Sequence, residues 1–391
     1  MARTTSATVA LAPRRPRLLS RLGPFVVAEL LLLLAVLAAL TGTVAGYVVA
    51  GVLVLLLVVL VVPFGGRSLV QRVRLRLAYS RRSPQTAADT DVPHDLVPLA
   101  QWVPGLSVSQ TVTGRGEEVG VITDGSAWTA VLALDADDEL IADSGEELSL
   151  RELADLTVQD DVVFAGVQVV TYTVPAPSRL LLGEDSAAAR AYLEIARTVP
   201  PTVQRTWLCV RLDPRLCLEA VARRGLDNDG IYATLRFGLH RVQSVLKRQG
   251  IETRALTPLE IHEVLALTSG SGPDGGDVRT RESWQHWECD GLLHSGRAVQ
   301  QWGSSATLGY GRLLQAVAQA PVLFAVTSYV LAPGREASGG IRLVTPNAAL
   351  AQVGVDTVTA ALGRDVRLAP AGGVQVPTML ATVPLGRGVA A

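Results

Sequence analysis

The residues of this chain that could do chemistry by type and spacing are few, and they form no established catalytic or metal-binding pattern. His286, Cys289 and His294 lie close enough in sequence to suggest a metal. Their H-x2-C-x4-H spacing fits no zinc arrangement, and a fourth ligand is missing. If one strand ran through them, His286 and Cys289, an odd number apart, would face opposite sides. Cys209 and Cys217 straddle a strand end and a short helix, and no sequence feature supplies a base beside either thiol. Three cysteines without a C-x-x-C pair make a disulfide framework unexpected, which fits a reducing compartment. Gly114-Arg-Gly116 and Gly309-Tyr-Gly311 do not extend to G-x-G-x-x-G. Gly270-Ser-Gly272-Pro-Asp-Gly275 does match that string, but it follows a predicted helix rather than a strand and reads as a loop. There is no P-loop: the single lysine, Lys247, sits inside a predicted helix, and no G-x-S-x-G elbow occurs. Asp137-Asp138 and Asp160-Asp161 read as solvated turn residues. A membrane-anchored, transferase-like enzyme at the inner leaflet would have to gather polar residues into one cleft, such as Asp124, Asp213 or His240, each at a strand end or on a helix. The sequence therefore predicts no catalytic residue, no metal and no cofactor.

The elements that must position these side chains begin with two apolar runs, 22–40 and 44–62, joined around Thr41–Thr43. Each is about 20 residues, the length a helix needs to cross a bilayer core. Arg14, Arg15, Arg17 and Arg21 precede them; Arg67, Arg72, Arg74 and Arg76 follow. Positive charge is retained on the cytoplasmic side, so the pattern predicts a transmembrane hairpin with the N-terminus and the main soluble domain inside the cell. The first run is too long for a signal-peptide core, and a second follows at once. Glu29 lies within the first run, near enough to its inner end to reach water or an arginine; the other reading is a contact between helices. Gly42 and Gly46 permit close helix approach, within the hairpin or with another subunit.

The remaining chain divides as follows. Residues 1–21 form a basic tail and 22–64 the hairpin. Residues 65–98 are a basic exit helix and a Pro/Asp-rich linker, with Arg67, Arg72, Arg74 and Arg76 facing anionic lipid. Residues 99–372 read as a cytoplasmic α+β domain: helices on a mixed sheet, with hairpins, in an irregular order that argues against a doubly wound fold. A weak likeness of element order would make its halves two related subdomains. Residues 373–391, rich in Gly and Pro, read as a flexible tail. Predicted elements include strands over 118–122, 128–134, 162–174, 206–212 and 288–301, and helices over 148–155, 187–198, 231–249 and 258–268. Thr257 is the expected N-cap of the last. Net charge is −1, so nothing favours nucleic acid. The near-absence of lysine beside abundant Arg, Ala, Gly and Val points to a GC-rich, actinobacterial host.

The most distinctive local feature is Glu282-Ser-Trp284-Gln-His-Trp287-Glu288, with Trp302 beyond it. Tryptophans so grouped anchor either a core or a partner-docking surface. This segment, the Arg-flanked hairpin, Val119-Gly-Val-Ile-Thr-Asp-Gly-Ser-Ala-Trp128 and Arg205-Thr-Trp-Leu-Cys-Val-Arg-Leu-Asp-Pro214 occur in an order that resembles EccE, a membrane subunit of the type VII (ESX) secretion apparatus. The resemblance implies a non-enzymatic structural subunit, peripheral to a core of EccB, EccC and EccD, with the mycosin protease as a further associate. It implies that ATP is handled by EccC, and it carries no catalytic residues to transfer.

Overall fold

The computed structural model describes residues 17–61, 67–84, 92–134, 148–175, 186–187, 190–191, 202–272 and 279–389. The chain divides into two compact units between Ala78 and Tyr79.

The first unit is built on a helical hairpin. Helix α1 (Arg17–Leu40) and helix α2 (Val44–Val61) are joined at Thr41–Thr43, where the sequence places the turn. Gly42 takes φ +62°, which glycine adopts at no steric cost. The Thr43 hydroxyl accepts from the Gly46 N–H at 3.0 Å and so caps α2. A Cβ on Gly46 would sit 2.4 Å from the Ala38 carbonyl, so this glycine permits the tight turn itself. The side chains described span 26–40 and 44–58, about 15 residues or roughly 22 Å of each helix. Among the described residues no helix is long and apolar enough to cross a membrane. The expected hairpin is thus present as a fold, while its crossing of a bilayer is not shown. Helix α3 (Leu69–Ser80) follows, with Leu69, Val73 and Leu77 exposed at four-residue spacing among Arg72, Arg74 and Arg76.

The second unit is one large sheet with helices on both faces. In chain order, a helical turn α4 (Val97–Ala100) precedes the meander β1 (Ser107–Val112), β2 (Glu118–Thr123) and β3 (Trp128–Leu134). Then come α5 (Leu150–Asp155), a small ribbon of β4 (Val158–Gln159) and β5 (Val162–Val163), and the long strands β6 (Gly166–Val174) and β7 (Val203–Leu212). Helices α6 (Leu218–Arg224) and α7 (Asp227–Arg248), strand β8 (Thr253–Ala255) and helix α8 (Pro258–Ser269) complete a first half. The second half repeats the plan. Its meander is β9 (Arg281–Glu282), β10 (Trp287–Cys289) and β11 (Leu292–Gln301), followed by α9 (Ala306–Ala318), β12 (Phe324–Leu331) and β13 (Ser338–Thr345). Helix α10 (Ala348–Leu362), strand β14 (Arg367–Leu368) and helix α11 (Gln375–Thr382) close it.

The strand order is β1-β2-β3-β7-β6-β12-β13-β11-β10-β9, palindromic about the β6–β12 pair. In each half the last long strand pairs with the third strand of the meander, and a short strand then extends that third strand: β8 on β3, β14 on β11. The likeness between halves suspected from the sequence is therefore a likeness of topology. The mixed sheet is corrected: every pairing among the described strands is antiparallel. Hairpins and helical returns bring each strand in from the opposite end, as an α+β fold allows.

Period-two burial explains the layers. One face of the sheet packs Leu150, Leu153, Leu235, Leu239, Val242, Leu313 and Val358 from α5, α7, α9 and α10. The other packs Leu99, Ile261, Leu265, Val376 and Met379 from α4, α8 and α11. Two further expectations change. The strand expected over 288–301 is a hairpin, folded at Asp290-Gly291 where both residues take positive φ. Of the tail expected over 373–391, the described residues to 389 fold as α11 and a buried strap, with Val383 and Leu385 inaccessible to solvent. Short apolar side chains among the Gly and Pro residues supply the burial that composition concealed. The helix expected over 187–198 lies largely outside the described residues, as do Asp137 and Asp138.

Candidate functional site

The residues singled out by sequence are dispersed rather than gathered. Asp124 ends β2 and makes an Asx turn, its Oδ1 accepting from the Ser126 and Ala127 N–H groups at 3.0 and 3.1 Å. Its Oδ2 is 2.5 Å from Arg211 Nη2 on β7 and accepts from Arg387 Nε at 2.9 Å. Burial pushes this carboxyl up, but Arg211, the Ser126 hydroxyl and Arg387 more than offset that and hold it well below the carboxylate range. Asp213 accepts a two-pronged contact from the exposed Arg215 at 2.9 and 2.8 Å. His240 is exposed on α7, and no hydrogen bond or ion pair links it to either acid. The three do not form one acid–base set. Asp160 and Asp161 stand at the β4–β5 turn and pair with Arg241, Arg223 and Arg224.

The cysteines are buried thiols. Burial pushes Cys209 up and raises Cys289 to about 12, which makes both poor nucleophiles. His286 Nδ1 contacts the Ser295 hydroxyl at 2.9 Å, whereas His294 lies in the interior beside Arg342. Among the described residues no group of His, Cys, Asp or Glu is placed to hold a metal. Gly270 is the left-handed C-cap of α8, so the Gly-rich string begins as a helix stop.

Sequence reasoning missed the most unusual side chain. Arg342 on β13 is 0% exposed, and among the described residues no carboxylate is hydrogen-bonded to it. Its guanidinium donates to the Thr268 carbonyl, to the Ser269 carbonyl at 3.2 Å and to the Thr382 hydroxyl at 3.1 Å. It also donates to His294 Nδ1 at 3.0 Å, which places that ring's proton on Nε2. Thr268 and Ser269 end α8, so the charge faces the negative end of a helix dipole. Burial lowers Arg342 to about 9, still charged at neutral pH. Burial and the adjacent guanidinium push His294 well down, so it is neutral. Trp287 stacks edge-on against His294 at 4.8 Å, under the same cation. This sealed cluster binds helix to sheet and offers no surface to a substrate. The one sequence signal for it was an arginine in the apolar run Ile341-Arg-Leu-Val344.

Of the candidate docking tryptophans, Trp287 and Trp302 are core residues, the latter packed on Tyr310 and Tyr329. Trp284 is half-buried and stacks edge-on against Tyr79 at 5.2 Å. Beside it Arg82 pairs with Glu282 at 3.1 Å, and Trp102 donates to Thr280 at 2.7 Å. Two shallow clefts of about 330 and 270 Å³ open here, both lined by Arg82 and Trp102. Glu29 is exposed on α1, as are Arg72, Arg74 and Arg76 on α3, while Arg67 is half-buried.

No curated protein matches the chain. Residues 201–299, which run from β7 to β11, match the family described as "Putative type VII ESX secretion system translocon, EccE". The stretch is not a free-standing domain, because β6, β12 and β13 lie between β7 and β11 in the sheet. Over that stretch the chain is similar to the EccE family of type VII secretion components.

Proposed function

We propose that this protein is a structural, non-enzymatic membrane subunit of a type VII (ESX) secretion complex, peripheral to a core of EccB, EccC and EccD. The observation that carries the reading is the EccE match over residues 201–299. The hairpin of α1 and α2, its outer helix surfaces lined by exposed Leu and Val, is the proposed bilayer anchor. The arginines of α3 and its exposed apolar stripe suit it to lie on an anionic inner leaflet, with the second unit in the cytoplasm. Glu29 is the proposed intramembrane contact, and Trp284 with the neighbouring clefts the proposed docking surface. The dispersal of Asp124, Asp213 and His240 gives the enzyme alternative no observation of its own.

The test is native purification from detergent-solubilised membranes of the host. The reading expects the chain to co-elute with an FtsK-like ATPase and other multi-pass subunits, and Trp284→Ala to weaken that recovery. Elution alone as a monomer would overturn it. Reporter fusions placed after Ser83 test the topology, and an extracellular signal would sink the cytoplasmic assignment.

A further inference from the structure

The two outer edges of the sheet are treated very differently. The second half ends in β9, two residues long and charged in both, Arg281 and Glu282. The Glu282 carbonyl accepts from the Tyr79 hydroxyl at 3.2 Å, and its carboxylate is held by Arg82 and by the Val376 N–H. That edge is short, charged and covered, as stable monomers require. The first half ends in β1, Ser107-Val-Ser-Gln-Thr-Val112, which carries no charge and no proline. Tyr232 and Arg236 of α7 bond to the Ser109 and Thr111 hydroxyls on one face, but among the described residues nothing bonds to the backbone groups of its outer edge.

Which backbone groups are open follows from one hydrogen bond. Gly120 on β2, opposite Gln110, donates its N–H to the Leu256 carbonyl, away from β1. In an antiparallel ladder the N–H and C=O of one residue point to the same side, and successive residues alternate. Ser107, Ser109 and Thr111 therefore bond to β2. Val108, Gln110 and Val112 direct their backbone donors and acceptors outward. These three are centred on Gln110, so the open edge is complementary to itself under a two-fold axis.

We propose that β1 pairs with β1 of a second copy of this chain, antiparallel, with Gln110 opposite Gln110 of the copy. Val108 of each chain then faces Val112 of the other. Six backbone hydrogen bonds close the two edges. Val112, 50% exposed, gains an apolar partner across the strands. No like charges meet within the strand, and the contact is isologous, so it closes at two copies. A charged edge would repel its own image; the uncharged sequence of β1 does not.

The test uses the full chain in detergent. Cys209, Cys217 and Cys289 are buried, so Gln110→Cys supplies an accessible thiol. Hydrogen-bonded antiparallel partners lie about 5.5 Å apart between Cα atoms, within reach of a short bis-maleimide. That reagent should convert Gln110→Cys to a covalent dimer and leave Val112→Cys, also exposed but four residues out of register with its own image, uncrosslinked. Gln110→Pro removes only an outward donor, so β1 stays on β2. It should halve the protein mass seen by light scattering and leave the far-UV circular dichroism unchanged. Equal crosslinking of the two cysteine variants, an unchanged mass for Gln110→Pro, or a Gln110→Cys adduct to a different protein would each overturn the proposal.

Discussion

The two halves of the sheet share one strand order, yet each secures the other's last helix by different chemistry. In the first half Arg211 on β7 reaches the strap beyond α11, donating to the Leu385 carbonyl at 2.9 Å, and Asp124 balances its charge. Gln168 on β6 adds bonds to the Ala381 and Val383 carbonyls at 2.7 and 3.1 Å and receives the Gly386 N–H at 2.6 Å. In the second half Arg342 on β13 reaches the end of α8 with no acid hydrogen-bonded to it among the described residues, and carbonyl dipoles take the acid's place. The difference teaches where a counter-ion is required. A guanidinium near the rim is matched by a carboxylate, whereas one in the interior is solvated by a helix terminus and a neutral histidine.

Breaking the interior contact should cost most. Arg342→Met leaves the α8 carbonyls, His294 Nδ1 and the Thr382 hydroxyl without their donor, and should lower stability by about 3 kcal/mol in urea unfolding. A loss below about 1 kcal/mol would show that α8 is held by apolar packing alone. Gln168→Leu removes one bond to the end of α11 and two to the strap and should cost about 2 kcal/mol, with faster proteolysis around residues 383–387.

Asp124→Asn should cost about 1–2 kcal/mol at pH 7. Because its folded-state carboxyl is held below the ordinary value, the contribution is fully present above about pH 4 and is lost as pH falls through the folded value. Wild type and Asp124→Asn should therefore converge in acid, whereas Arg342→Met should keep its deficit there. The smallest effect concerns α8 at its other end. Thr257 and Glu260 form a reciprocal capping box, which α11 lacks, so Thr257→Ala should cost about 1 kcal/mol by thermal melting.

Much of this fold was legible in the sequence. The hairpin turn, the strands 118–122, 128–134 and 206–212, and the capped helix after Thr257 are local signals, set by periodicity, turn residues and caps. The antiparallel order was not, because pairing between β6 and β12 joins residues some 150 positions apart and leaves no local trace. The C-terminal strap was hidden for a related reason: Val383 and Leu385 are buried by distant strands, not by their neighbours. At the candidate sites, residue type did not decide. Trp287 and Trp302 allowed either a core or a docking surface by type, and each lies in a core. Arg342, the most constrained polar residue, looked like one charge among many.

The exchange of helix ends between halves also bears on how the chain reaches its native state during synthesis. Residues of the first half emerge from the ribosome first, yet the carbonyls that end α8 wait for Arg342, and Gln168 waits for residues 381–386. Neither half can complete its hydrogen bonds until nearly the whole sheet has been made. Such distant pairing slows folding and prolongs exposure of unpaired strands. The second unit should therefore fold as one cooperative block, and separately expressed halves should depend on chaperones or aggregate.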